Sequence, residues 1–212
     1  MMIVYGSSMS PFVRKTLVFA AEKGIELELQ STGQNAPPEF RQASPFGKIP
    51  GFKHDDFLIS DSTAIVTYLD ALQPEPNLIP LEPRARARTI WYEEFADTMV
   101  AACGGKIFFN RVVAPRFMGR PGDLAAADEA QKTEFPKLVD YLETVIPASG
   151  YLVEDRFTLA DISVASPLAT LALGECAVDA RSHPKTAAYL AKILERPSFA
   201  KWIAQEKAIL AA

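Results

Sequence analysis

Cysteine and histidine are scarce in this chain, and each shortage excludes a chemistry. Its 212 residues hold two cysteines, Cys103 and Cys176, far apart and without a C-x-x-C spacing. A disulfide framework or a zinc site is therefore not expected. The two histidines, His54 and His183, are too few and too distant in sequence to suggest a metal centre. Basic residues are not in excess: 22 Lys and Arg against 26 Asp and Glu leave a net charge of −4. That removes the electrostatic footprint of a nucleic-acid binder. Long apolar runs are missing too. The longest nearly uncharged one, residues 162–174, is too short to span a bilayer and contains Pro167. The first residues carry neither a charged n-region nor a cleavage site, so no signal peptide is expected. The expectation is a protein of a reducing cytoplasm, with no metal, nucleic-acid or membrane partner.

What is present is ordinary for a globular chain: 49% apolar and 23% charged residues. The length suffices to bury a sizeable core, in one domain or two small ones. Met2 to Tyr5 is an apolar run expected to form a buried strand. Val13, Leu17, Ala20 and Ala21 then recur at helical spacing, predicting a helix from Pro11 to Lys23 that stops at Gly24. Residues 25–29 alternate strictly and predict a second strand. A β-α-β unit of this kind makes the two strands parallel. A polar stretch follows, holding at most a short helix around residues 38–42. Residues 51–54 and 57–59 flank Asp55-Asp56 as a hairpin. Ile65, Tyr68, Leu69 and Leu72 then line one face of a helix.

Three places in this first part carry chemistry. Ser7-Ser8-Met9-Ser10-Pro11 joins a strand end to a helix start. Ser10 suits an N-cap and Pro11 the first helical position, which puts a hydroxyl at the positive end of a helix, a place that favours an anion. Gly47-Lys48-Ile49-Pro50 stands directly before a strand. A cis bond there turns the Ile49 N–H and C=O outward, able to pair with an extended peptide. Asp61-Ser62 opens a helix, where amides and a hydroxyl hold a carboxylate and the adjacent Asp holds an ammonium. An α-amino acid head group carries both charges. Each place alone is also an ordinary turn or cap.

Together these residues resemble the glutathione transferase family within the thioredoxin-like superfamily. Ser10-Pro11-Phe12 stands where related redox proteins carry Cys-Pro-Phe or Cys-Pro-Tyr. Gly47-Lys48-Ile49-Pro50 looks like the family's cis-proline signature, and residues 58–65 look like its Glu/Asp-Ser-x-x-Ile signature. The run from Ser10 to Lys15 is most similar to serine-type bacterial and plant tau-like members. The resemblance implies an α/β thioredoxin-like domain, β-α-β-α-β-β-α, over residues 1–75, and an all-helical bundle over 84–212. It also implies roles. Ser10 would hydrogen-bond the glutathione sulfur, with Ser7 and Ser8 as alternatives in the same turn. Lys48 would reach the glycyl carboxylate, and Ile49, next to cis-Pro50, would pair with the cysteinyl unit. Asp61 and Ser62 would hold the γ-glutamyl ammonium and carboxylate. Because Ser10 is not Cys, a mixed disulfide is not expected there.

Pro74, Pro76, Pro80 and Pro83 mark a stiff linker over residues 76–83. Beyond it no strand pattern occurs. Residues 84–113 are expected to be helical, bent or interrupted at Gly104-Gly105, and residues 115–123 to form a loop. Asp123 can cap the next helix, and Pro136 should kink it. Thr158 to Asp161 matches a capping box with Asp in place of Glu and opens a buried helix. Residues 184–194 and 198–210 complete the bundle. The resemblance puts an electrophile pocket in a cleft between the domains, with Met9, Phe12, Tyr92, Met99, Phe108 and Arg111 as candidate lining. Cys103 is expected to be a small buried hydrophobe.

The implied activity is transfer of glutathione, a co-substrate with no permanently bound cofactor, to a small hydrophobic electrophile by a homodimeric detoxifying enzyme. Two alternatives stay open: a glutathione-dependent lyase, dehalogenase or peroxidase on the same fold, and a non-catalytic glutathione- or ligand-binding protein.

Overall fold

The computed structural model describes residues 1–33 and 36–211. Its elements fall into two compact units, Met1–Ile79 joined by the last helix, and Pro80–Arg196.

In the first unit, β1 (Met2–Tyr5), α1 (Pro11–Glu22), β2 (Glu28–Gln30), α2 (Pro38–Ala43), β3 (Gly51–His54), β4 (Phe57–Ser60) and α3 (Ser62–Leu72) follow in the expected order. The sheet runs β2-β1-β3-β4. β1 and β2 are parallel, while β3 is antiparallel to both β1 and β4. This is the thioredoxin-like domain the resemblance implies. The second strand is shorter than the alternating pattern suggested, and the end of α1 explains why. Gly24 sits at φ +71°, and the Ile25 N–H donates to the Ala20 carbonyl at 2.9 Å. This closes the helix in a Schellman motif, so the Ile25 amide is not available to a sheet ladder.

Helix α1 is buried from Val13 to Ala20 without a polar face. Such a helix needs cover on all sides. Helix α3 covers one flank, and α10 (Pro197–Ala211) returns from the far end of the chain to cover another. By its contacts the last helix therefore groups with the first unit.

The second unit is all helical: α4 (Pro83–Glu94), α5 (Ala101–Phe108), α6 (Leu124–Thr133), α7 (Phe135–Val145), α8 (Leu159–Leu173) and α9 (Pro184–Leu194). Its central helix, α8, is buried almost throughout, with α4 and α5 packed on it. The expected break at Gly104-Gly105 does not occur. Helix α5 runs through both glycines, with Gly104 buried against Leu171 of α8. The irregularities lie on either side, as wider π-type turns at Phe95–Val100 and Phe109–Phe117. The second takes Pro115 and Arg116 into a helical turn that had been expected as loop. Asp123 caps α6, accepting from the Ala126 N–H at 2.9 Å. The chain breaks at Glu134, with Pro136 in the first turn of α7. Among the described residues no helix is long and apolar enough to cross a membrane.

Candidate functional site

Strand register brings the three candidate places together. Tyr5 pairs with Gly51, and Gly51 pairs with Ser60. These residues form one row across β1, β3 and β4. β1 leaves the sheet just past this row, β3 enters just before it, and β4 leaves just past it. The Ser7–Ser10 turn, Lys48-Ile49-Pro50 and Asp61-Ser62 therefore all emerge at the same end of the sheet. Contact is close there. A Cβ on Gly6 would lie 2.6 Å from Val13 Cγ2 and 3.2 Å from Ile49 Cβ. Gly6 is thus required for β1 to pass beside the Ile49 segment, a need that the sequence alone did not reveal.

Ser10 stands at the N-cap of α1 with extended backbone, φ −70° and ψ 126°, but its side chain makes no cap hydrogen bond. Its backbone does the local work: the Ser10 N–H donates to Ser7 O, and the Arg14 N–H donates to Ser10 O, each at 2.9 Å. The capping role expected for its hydroxyl is therefore not used. Pro11 has no N–H to satisfy. The site thus has a half-buried hydroxyl at a helix start, where partial positive charge gathers. Ser7 is also half-buried. Ser8 is buried, and its hydroxyl is hydrogen-bonded to the Glu206 carboxylate of α10.

The Ile49–Pro50 peptide bond is cis. The Ser44 hydroxyl donates to Lys48 O at 2.6 Å, fixing the segment from behind. The Lys48 side chain is exposed, and Phe46 beside it is 91% exposed. At the third place Asp61 adopts φ +79°, a region that L residues avoid. Its Oδ1 accepts from the Thr63 and Ala64 N–H groups at 2.9 and 3.2 Å. Asp61 thus caps α3 and relieves Ser62 of that task. Ser62 is only 2% exposed, and its Oγ has no hydrogen-bond partner. A buried hydroxyl without a partner is costly and uncommon.

The six candidate pocket residues divide between the units. Met9 and Phe12 flank Ser10 in the first, both half-buried. In the second, Tyr92 is buried and its hydroxyl pKa is pushed up to about 12, by burial first and then by Tyr141. Phe108 is buried and Met99 exposed. The Arg111 guanidinium donates to Gly174 O at 3.0 Å and pairs with Asp128 at 2.7 Å. Cys103 and Cys176 are both buried, and burial pushes each thiol pKa up to about 11. Cys103 behaves as the buried hydrophobe expected of it.

Sequence reasoning missed Arg14 and Glu206. The Arg14 Nε donates to Glu206 Oε1 at 3.1 Å and its second terminal nitrogen to Oε2 at 2.6 Å, with neither side chain exposed. One signal did point there: an arginine inside a helix buried on every side needs an acid from elsewhere. Nothing local says where.

Two family models match the chain: "Glutathione S-transferase, N-terminal domain" over residues 4–77 and "Glutathione S-transferase, C-terminal domain" over residues 115–206. A glutathione S-transferase of Hyoscyamus muticus is 28% identical over 208 residues, covering 95% of this chain and 97% of that protein. Among solved structures, glutathione transferase F7 from Populus trichocarpa superposes with a TM-score of 0.84 at 26% identity, covering 97% of this chain and 99% of that one. A glutathione S-transferase-I structure bound with lactoylglutathione gives 0.81 at 25% identity, over 96% and 98% of the two chains.

Proposed function

Because the chain belongs to the glutathione S-transferase family, we propose that it binds glutathione at this end of the sheet and activates its thiol for attack on a small hydrophobic electrophile. The observation that carries the reading is the Ser62 hydroxyl, buried without a partner at the start of α3. A carboxylate there accepts its hydrogen and meets the positive end of the helix. In the resulting pose the γ-glutamyl carboxylate lies on Ser62 and its ammonium on Asp61. The cysteinyl backbone pairs with Ile49, and the glycyl carboxylate reaches Lys48. The bound lactoylglutathione of the relative supports a glutathione-shaped ligand.

The pose puts the sulfur at Ser10. A free thiol has a pKa of about 8.5, so at neutral pH little of it is thiolate. Lowering that value by two units needs about 2.7 kcal/mol of preferential thiolate stabilisation. A hydroxyl donor and a helix start supply interactions of this size. The thiol releases its proton to solvent, and Ser10 donates a hydrogen bond to the resulting thiolate without taking up a proton itself. The thiolate then forms a C–S bond with the electrophilic carbon, whose leaving group departs with the bonding pair.

Met9 and Phe12, as half-buried neighbours of Ser10, are the proposed electrophile contacts. Ser7 is the alternative sulfur donor; Ser8 ranks below it, since its hydroxyl is engaged by Glu206. The enzyme acts as a homodimer, and the exposed ring of Phe46 supports a second copy as its cover.

The test is a pH titration of thiolate absorbance with glutathione bound, in wild type and Ser10→Ala. Wild type should show a thiol pKa well below 8.5, and Ser10→Ala should raise it by about one unit or more. Absence of glutathione binding refutes the function, and an unchanged pKa in the variant moves the donor to Ser7.

A further inference from the structure

We infer that Glu206, near the end of the chain, is a positioning residue for the reaction: through Ser8 and Arg14 it holds the turn that carries Ser10. The inference rests on the reading of Ser10 as the sulfur donor.

The geometry is that of a clamp. Glu206 is fully buried and grips Arg14 with both carboxylate oxygens, at 3.1 and 2.6 Å. The same carboxylate takes the Ser8 hydroxyl. Ser8 lies two residues before Ser10, and Arg14 one helical turn after it. Backbone bonds close the gaps, from Ser10 N–H to Ser7 O and from Arg14 N–H to Ser10 O. Ser10 is therefore suspended between two points fixed to one carboxylate, while its own hydroxyl makes no cap bond.

Stability alone does not account for this arrangement. Two buried charges bear a desolvation cost that their attraction repays only in part, and apolar residues of similar volume often serve the fold as well or better. An apolar pair cannot accept the Ser8 hydrogen. A lone buried glutamate could, but its negative charge would oppose a thiolate nearby. The ion pair supplies the acceptor while keeping net charge near zero, so the turn is fixed without an opposing field at the sulfur.

Three variants separate positioning from folding: Ser8→Ala, Ser8→Thr, and Arg14→Met combined with Glu206→Leu. The measurements are the thiol pKa of bound glutathione, kcat/KM against pH, and the thermal midpoint. Ser8→Ala should raise the thiol pKa by about 0.5–1 unit and lower kcat/KM at pH 6.5 about three- to ten-fold. The deficit should close near pH 9, where the thiol ionises unaided, and KM for glutathione should move less than about two-fold. Ser8→Thr, which keeps the hydroxyl, should restore the wild-type profile. The apolar double variant should show the same raised pKa at a midpoint equal to or above that of wild type. A wild-type thiol pKa in Ser8→Ala, or in a folded double variant, overturns the positioning role while leaving Ser10 in place. Failure of the wild-type protein to bind glutathione overturns the reading of the site and this inference with it.

Discussion

Asp161 offers the sharpest test of how the second unit is held. Its side chain is fully buried at the start of α8. Oδ1 accepts from the Leu152 N–H at 3.0 Å. Oδ2 accepts from the Thr158 N–H at 2.9 Å and from the Thr158 hydroxyl at 3.3 Å. Asp161→Ala leaves two buried backbone N–H groups without acceptors. Each costs about 1–3 kcal/mol, so the variant should lose roughly 2–6 kcal/mol. Asp161→Asn keeps an acceptor for one of the two and should lose about half as much. The charge makes a second, separable contribution. Burial pushes the carboxyl pKa from 3.8 up to about 6, against the pull of its hydrogen bonds. The folded state then holds a proton that the unfolded chain has released. This stabilisation is fully present below pH 3.8 and is lost as pH rises through 6. Its size follows from the shift, about 3 kcal/mol. Urea unfolding followed by circular dichroism between pH 4 and 7 reads both effects. The difference between wild type and Asp161→Asn isolates the titration, because Asn lacks it. An alanine variant that loses less than about 1 kcal/mol, or an asparagine variant with the wild-type pH slope, refutes the reasoning.

Ser62→Ala should raise KM for glutathione about ten- to hundred-fold, the worth of a hydrogen bond to a charged group. The same change should leave the melting temperature unchanged or higher, since the free hydroxyl has no partner to lose; a KM within two-fold of wild type contradicts the pose. Phe46→Ser should yield monomers in sedimentation velocity with little change in fold stability, because the ring is 91% exposed. A variant that remains dimeric removes this ring from the interface. At pH 8, Cys103 and Cys176 should resist maleimide until urea unfolds the chain, since burial pushes both thiol pKa values up to about 11. Rapid stoichiometric labelling of the native protein would count against that burial.

Local rules made much of the fold legible. β1, α1, the β3–β4 hairpin, α3 and α9 could be placed from periodicity and from Pro and Gly punctuation, because each is decided within a dozen residues. Asp123 and the Thr158–Asp161 box were readable for the same reason: a cap lies next to what it caps. The three candidate places were also visible, and strand register then explained why they emerge at one end of the sheet. What escaped depends on distant partners. Gly104 has the local signature of a helix breaker, yet it lies inside α5, buried against Leu171 of another helix. That the last helix packs on α1 is likewise not written in its own residues. The strand at residues 25–29 lost its first half to a helix-closing bond. In each case the outcome rests on a contact that the local pattern does not encode.

The helix starts distinguish site from scaffold. In the second unit the starts of α4, α6, α8 and α9 are closed by side chains, while α5 continues a preceding helical turn and α7 begins with Pro136 in its first turn. Glu82 accepts from Ala85 N–H at the start of α4 and Asp123 from Ala126 N–H at α6, while Asp161 closes α8. Glu143 takes the Lys185 and Thr186 N–H groups of α9. At the sheet end of the first unit the pattern changes. Ser10 occupies the cap position of α1, yet its hydroxyl caps nothing. At α3 the cap falls to Asp61, held at φ +79°, a conformation that costs about 1–3 kcal/mol, and Ser62 beside it is left unpartnered. A scaffold would gain by closing both starts with serine, which suits that position and avoids the strain. The fold instead accepts a strained aspartate and an unpartnered hydroxyl at one helix and leaves a hydroxyl uncommitted at the other. Both costs fall where strand register gathers Ile49 and Lys48. The pose proposed above asks for the same two points, an anion at α3 and an anion at α1, and the prediction for Ser62→Ala tests the first of them.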